Sequence, residues 1–363
     1  MKIPKENKTE WSEYFKLELS DVTPILSRLG FSLDEQQVHT IGERFLMSGK
    51  KLVLTGKRIS DNKKVIIKAS SDVSGKAELL NEHLCRETIK KIDFAYKPIL
   101  LPEEILFVKE GAFVVVISGF IEEPQAFLAH SDQEQFFLAL RAFEMLDSVH
   151  STAHSHTKII ESVWSNWGAA EYLKMFSRFS NNIITAEPDL YKTVSSAEDF
   201  LKGNREMLDR YSGFLTHEDF VPHNLRISGQ DVYLLDHTAL LFGNKYESVA
   251  RFLNYLCIYN LKLERWIIEY IKKNRCEEEY LALRLMRTYK LAELLQFYTG
   301  SLAQTEGNLK LLAKERIEFW KKVMITIIED KPVTEEMVQE YTKKRDSLRS
   351  EDEKKRQKEI HQL

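Results

Sequence analysis

The chain has 363 residues, of which 43% are hydrophobic, and carries a formal net charge of −3. That length and apolar share are enough for two lobes around a sizeable core, and the near-neutral charge argues against a general nucleic-acid binder, which carries a basic excess. The three cysteines, Cys85, Cys257 and Cys276, stand far apart with no CxxC pair, so no disulfide framework is expected and a cytoplasmic setting is the simplest expectation.

The opening stretch MKIPKENKTEWSEYFKLELS is polar and lacks the apolar centre of a signal peptide. No apolar run reaches the roughly 18 residues of a spanning helix. Residues 1–41 read as a helical lead-in, with Ile25, Leu26 and Leu29 on one face and Gly30 as the stop. From Gly42 the pattern becomes strand-like. Strands are expected over 45–47, 52–57 and 65–69, with turns at SGKK (48–51) and SDNK (60–63). A helix follows over 76–93, then strands over 104–108 and 113–118. The segment 131–150 has helical periodicity through Phe136, Leu140, Phe143 and Leu146, and Ser131 with Glu134 suggests a capping box. Most of the remainder is helical except for 213–244. The expected fold is therefore α+β and two-lobed: a small five-stranded antiparallel N-lobe (42–120), a larger helical C-lobe (121–335) and a charged tail (336–363). The tail, and the acidic residues Glu264, Glu269 and 277–279, read as solvated faces.

The chemistry is concentrated in FLTHEDFVPHNLRISGQDVYLLDHTALL. His217 precedes Asp219, Asn224 follows, and Asp236 ends a strand over 232–235. Phosphoryl transfer needs these residue types. One carboxylate must orient an acceptor hydroxyl and take its proton, and oxygen ligands must hold Mg²⁺ on the nucleotide phosphates. The spacing H-x-D-x-x-x-x-N with a later strand-terminal Asp matches the pattern of a kinase catalytic loop and metal motif. The bland alternative is a pair of ordinary turns, since Asp and Asn are common loop residues.

This segment resembles the aminoglycoside phosphotransferase and choline-kinase group of the protein kinase-like fold, whose loop reads H-G-D-x-x-x-x-N and whose metal motif reads I-D-[WFH]. The resemblance implies Asp219 as catalytic base, Asn224 and Asp236 as Mg²⁺ ligands, and His217 as a structural brace. GNKYESVARFLNYL at 243–256 is similar to the group's G-D-P-x-x-D-L-A helix. Two residues depart from the pattern. Glu218 replaces a Gly, and Ser248 stands where an Asp is usual.

A kinase-like N-lobe also needs a lysine reaching the phosphates and a glutamate on the next helix to hold it. Lys68 ends Val65-Ile66-Ile67-Lys68, similar to V-A-I-K. Glu78, Glu82 and Glu87 all lie on the following helix. The separation of Arg86-Glu87 from Pro102 is similar to the group's R-E…P pattern, so Glu87 is the chosen partner. Gly49 occupies the place of the nucleotide-covering turn, and 119–123 (GFIEE), with Glu122, the place of the adenine-binding hinge. His150 reads as a packing residue, and His150, His154 and His156 lack the acidic companion of a zinc motif. Core is the better reading of Trp164, Trp167, Tyr172 and Phe176.

The expected activity is transfer of the γ-phosphoryl of ATP, with GTP as an alternative donor, to a hydroxyl of a sugar, amino alcohol or glycoconjugate. Glu218 and Ser248 motivate a rival class, a weak or inactive nucleotide-binding scaffold. A protein kinase is disfavoured because no D-F-G or A-P-E segment is present.

Overall fold

The computed structural model describes residues 8–35, 37, 51–94, 99–150, 156–229, 231–351, 353–355 and 357. Helix α1 (Lys8–Arg28) ends just before Gly30, whose φ of 86° suits a residue without a side chain. The chain then enters β1 (Phe31–Leu33), a strand lying where the sequence suggested only a helical lead-in. The strand expected over 45–47, and Gly49, fall outside the described residues.

Among the described residues, β1 joins β2 (Leu52–Arg58), β3 (Lys64–Ser70), β4 (Glu104–Glu110) and β5 (Phe113–Gly119) in one antiparallel sheet of order β1-β2-β3-β5-β4. Strand alternation sorts its side chains. Val65, Ile67, Val115 and Ile117 pack with Val22, Ile25 and Leu26 of α1 on one face. Lys68 pairs with Val116 in register and shares the opposite face with it. That face meets α2 (Val73–Ile89), where Leu79 packs on Val114 and Val116.

Helix α2 is started by Asp72, whose carboxylate accepts the backbone N–H of Ser74 at 2.9 Å and of Gly75 at 3.3 Å. Its buried positions include Leu79, Glu82, Cys85, Arg86 and Ile89, a helical stripe. Leu79 belongs to the sheet side, whereas Cys85 and Ile89 belong to the core of the larger half. One helix thus touches both halves, with Glu82 between the two contacts.

The larger half contains α3 (Asp132–His150), α4 (Thr157–Glu161), α5 (Ala169–Ala186), α6 (Tyr191–Gly203), α7 (Arg205–Arg210), α8 (Glu247–Tyr259), α9 (Leu261–Asn274), α10 (Glu277–Ser301), α11 (Gly307–Ile328) and α12 (Glu335–Leu348). The expected capping box before α3 is formed: Ser131 Oγ donates to Glu134 at 2.7 Å and accepts the Glu134 N–H at 3.4 Å. Helix α10 runs through the core, with Leu283, Met286, Leu291 and Leu295 fully buried. Each such side chain contributes about 1.5–3 kcal/mol by leaving water. Trp164, Tyr172 and Phe176 are also core residues, and buried His150 packs edge-on against Phe214.

Two expectations about charged segments change. The start of the tail is not simply solvated: α12 buries Tyr341, which stacks on Phe319 at 4.3 Å between ring centroids. Glu264 is buried and pairs with buried Arg287 at 2.7 Å, whereas Glu269 stays exposed. No helix among the described residues is long and apolar enough to cross a membrane. The architecture is the two-lobed α+β arrangement, with a small antiparallel sheet and a larger helical part.

Candidate active site

Two short antiparallel strand pairs, one of them a hairpin, build the loop region. Strand β6 (Phe214–His217) pairs with β9 (Leu240–Gly243), and β7 (Leu225–Ser228) pairs with β8 (Asp231–Leu234). Gly229, at φ 60°, makes the β7–β8 turn. The β7–β8 register sets Leu225 opposite Leu234, and the Leu235 N–H continues the pairing by donating to the Asn224 carbonyl at 2.8 Å. Asn224 is thereby held beside the residue that precedes Asp236. The β6–β9 register sets His217 opposite Leu240, and the Glu218 N–H donates to the Ala239 carbonyl at 2.8 Å. Residues distant in sequence meet through pairing that the hydrophobic alternation of four short strands specifies.

Asp236 adopts a left-handed backbone with φ 44°, an uncommon conformation outside glycine. Two buried histidines brace this corner. His217 Nε2 donates to the Asp236 carbonyl at 3.0 Å, and His237 Nε2 donates to the Glu82 carbonyl of α2, also at 3.0 Å. Burial lowers both imidazoles, His237 to about 4, so both stay neutral near pH 7 and each offers one N–H. Ser248 explains one departure from the family pattern. Its hydroxyl accepts the His217 N–H at 2.9 Å, donates to the His217 carbonyl at 3.2 Å and meets Thr216 Oγ1 at 2.7 Å. A neutral hydroxyl thus ties α8 to the strand that carries the loop.

Asp219 is held from two sides. Arg251 on α8 places Nε and Nη2 each 2.8 Å from Oδ1. Asn224 Nδ2 donates to Oδ2 and to the Asp219 carbonyl, each at 2.9 Å. Burial by itself would raise this carboxyl, but Arg251 first, then His223, His217 and Lys290, outweigh it and hold the group well below the usual carboxylate range. The side chain keeps 40% of its exposure, so a second molecule can reach it.

Glu218 lies in a different field. Burial is the main cause that pushes its carboxyl up to about 7. Lys290 opposes the rise, while Glu247, Glu293 and Asp219 add to it. Lys290 is buried on α10, 3.6 Å from buried Glu247, and also pairs with Glu293. Tyr172 donates to Glu247 at 2.5 Å and accepts the Asn244 N–H at 2.8 Å. Gly243 lacks a side chain at the place where the Tyr172 hydroxyl sits, so the tyrosine can approach the backbone there. The second departure from the family pattern therefore lies in the field of a buried ion network shared by α5, α8 and α10.

The glutamate that pairs with Lys68 is Glu82, not Glu87. Lys68 Nζ lies 2.5 Å from Glu82 Oε1, and the Glu82 side chain is 4% exposed. Burial would raise Glu82, but Lys68 beside it prevails and lowers it. Glu87 faces outward and pairs with Lys90 at 2.7 Å, and Glu78 pairs with Lys51 at 3.1 Å. The R-E…P pattern has another structural use: Arg86 donates to the Pro102 carbonyl and lies 3.5 Å from Glu104. His83, Glu87 and Glu104 bring ligand-type atoms within 4.8 Å of one another. Arg86 and Lys90 already neutralise the two carboxylates there.

At the connection after β5, the Phe120 N–H donates to the Lys64 carbonyl at 3.3 Å. Glu122 is exposed, 3.8 Å from Lys64. Its neighbour Glu123 is the buried one: it accepts the Ile227 N–H at 3.1 Å and lies 3.7 Å from Arg226, joining the connection to β7.

The donor set fits a hard divalent cation. Asn224 spends its amide nitrogen on Asp219, which leaves its carbonyl oxygen for a metal. Asp236 accepts from Thr238 Oγ1 at 2.7 Å on one oxygen only, among the described residues. Amide and carboxylate oxygens are what Mg²⁺ prefers. Sequence reasoning missed Glu82 as the partner, and it assigned no role to Arg251 or Lys290. Glu82 left a signal as one of three glutamates on the correct helix, and His237 as the last residue of the Leu235-Asp236-His237 motif, though without its bond to α2.

No protein-family model matches the chain, and no curated protein matches it in sequence. Solved structures do match in fold. A thermostable mutant of aminoglycoside phosphotransferase APH(4)-Ia superposes with a TM-score of 0.57 at 11% identity, covering 84% of this chain and 97% of that one. A ternary complex of the same enzyme with ADP and hygromycin B gives 0.55 at 13%, covering 86% and 98%. Macrolide 2′-phosphotransferase MphH from Brachybacterium faecium gives 0.53 at 13%, covering 83% and 98%. The chain therefore shares the kinase-like fold of these phosphotransferases along almost their whole length.

Proposed function

We propose that this protein is a phosphotransferase that moves the γ-phosphoryl group of ATP, with GTP as an alternative donor, to a hydroxyl of a small molecule. Sugars, amino alcohols and glycoconjugates are the acceptor classes. The observation that carries the proposal is the convergence of Asp219, Asn224 and Asp236 at the ends of two strand pairs, joined through His237 to the helix bearing the Lys68–Glu82 pair. Similar folds in enzymes described as antibiotic phosphotransferases, one with ADP bound, support the same reaction class.

In this proposal Asp219 orients the acceptor hydroxyl and takes its proton, and Lys68, fixed by Glu82, contacts the nucleotide phosphates. Asn224 and Asp236 hold Mg²⁺, which when bound offsets phosphate charge. His217 and His237 keep the Asp236 corner and α2 in fixed relation. The two departures from the family pattern do not favour an inactive scaffold, because Ser248 braces the loop and Glu218 leaves Asp219, Asn224 and Asp236 in place.

The test is turnover of Mg·ATP with a panel of candidate alcohols, alongside a thermal-shift titration with Mg·ATP. The expected result is acceptor-dependent ADP release that D219N lowers about 10³-fold while its nucleotide-induced thermal shift remains. Equal turnover by D219N and the wild-type chain would overturn the proposal. Nucleotide binding with no turnover on any alcohol would point to a scaffold instead.

A further inference from the structure

Arg251 lies in the 243–256 stretch, directly after the residues that carry its resemblance, and has no role in that pattern, yet it makes the closest charged contact with Asp219. Helix α8 sets it there through its period: Ser248, one turn earlier, is fastened by its side-chain hydroxyl to the backbone N–H and carbonyl of His217. Two of its guanidinium N–H groups meet the same carboxylate oxygen, each at 2.8 Å. Its third nitrogen, Nη1, makes no hydrogen bond among the described residues. The side chain is 18% exposed, at the rim of the site rather than sealed within it.

A structural salt bridge needs only Asp219. Free donors next to a candidate base have a further use. The acceptor hydroxyl bonds to Asp219, so the phosphoryl group it attacks passes within a hydrogen-bond length or two of the same guanidinium. Planar guanidinium forks match phosphoryl oxygens, and charge developing on those oxygens is what a phosphotransferase must stabilise. A lone carboxylate beside a triphosphate would also repel it. Arg251 cancels that charge.

We propose that Arg251 is a catalytic residue of this chain, a guanidinium supplied in cis that contacts the phosphoryl group in flight while holding Asp219 in place. The inference rests on the phosphotransferase proposal above. In the step, the acceptor oxygen bonds to the γ-phosphorus as the bond from that phosphorus to the bridging oxygen breaks. The electron pair of that bond stays on ADP, and the acceptor proton passes to Asp219.

The test uses the full chain and Mg·ATP hydrolysis, with water as acceptor, in wild type, R251A, R251K and D219N. R251A is expected to lose about 100-fold or more in kcat, with KM for ATP changed by less than about threefold. R251K should recover part of the loss, and so should guanidinium added to R251A at non-denaturing concentration. The thermal midpoint of R251A should stay near that of wild type. A kcat for R251A within about threefold of wild type overturns the inference. So does a loss that neither lysine nor guanidinium restores, because Arg251 then only packs the loop. The parent proposal fails separately. If wild type hydrolyses no more Mg·ATP than D219N, the reaction class is wrong and Arg251 falls with it. If D219N is inactive and R251A is not, only the role of Arg251 is lost.

Discussion

The two faces of the catalytic loop place adjacent carboxyls in opposite electrostatic regions. On the α8 face, Asp219 meets Arg251 and Asn224 and is held ionised, well below its ordinary range. Toward α10, burial first of all pushes the Glu218 carboxyl up to about 7, and the negative charges of Glu247, Glu293 and Asp219 add to the rise against one opposing ammonium, Lys290. One peptide bond separates an acid that is always charged from one that titrates near neutrality. Burial and neighbouring charges, not residue type, set the two charge states.

The largest break in this comparison comes from Asp219 itself. D219N keeps the shape but removes the charge and replaces one of the two acceptor oxygens, which serve Arg251 and Asn224, with an N–H donor. It is expected to reduce kcat by about 10³-fold, measured under single-turnover conditions with Mg·ATP. Next is the N-terminal partner. E82Q leaves Lys68 without its buried counter-ion and should reduce kcat/KM by roughly 100-fold, whereas E87Q should change it less than about twofold. If E87Q were the more damaging variant, the assignment of the ion pair would be wrong.

On the α10 face the first effect is on stability. K290M strands Glu247 in the interior and should cost about 3–5 kcal/mol in denaturant unfolding, because a buried charge loses its partner. The mildest change is E218Q, and its signature is pH dependence. The folded state raises this carboxyl from 4.5 to about 7 and so keeps a proton that the unfolded state has lost. Its contribution to stability therefore declines as pH rises from about 4.5 to about 7, and the decline is complete above that. E218Q should flatten this segment of the stability–pH curve while leaving the curve below pH 4 nearly unchanged. An unaltered slope in E218Q would place the titration elsewhere.

The motif was legible because its chemistry is local. Asp219, Asn224 and Asp236 sit at strand ends separated by short loops, and strand pairing leaves little freedom in where they meet. The sheet was legible from β-branched runs such as Val65-Ile66-Ile67, and α3 from its period and capping box. The partner of Lys68 was not, because Glu78, Glu82 and Glu87 are all compatible with one helix. Which of them faces β3 depends on the rotation of α2 about its axis, and Leu79, Cys85 and Ile89 set that rotation by packing against both halves. A pattern match to R-E…P selected Glu87, but the arginine beside it is spent on the Pro102 carbonyl. The same applies to β1 and α12, whose short or charged sequences carry little periodic signal and gain their place from β2 and Phe319.

By itself, then, the sequence determined most of the elements, the two-lobed class and the loop with its acid, amide and second acid, because strand alternation, helical period and turn chemistry act over a few residues. Only the tertiary structure decided which charges are buried and with whom: Lys68 with Glu82, Arg251 with Asp219, and Lys290 with Glu247, leaving Glu218 in a field that raises it. A charged side chain looks the same in a sequence whether solvated or enclosed. Its energy depends on the dielectric and the counter-ions that distant segments bring to it, and those exist only once the chain has folded.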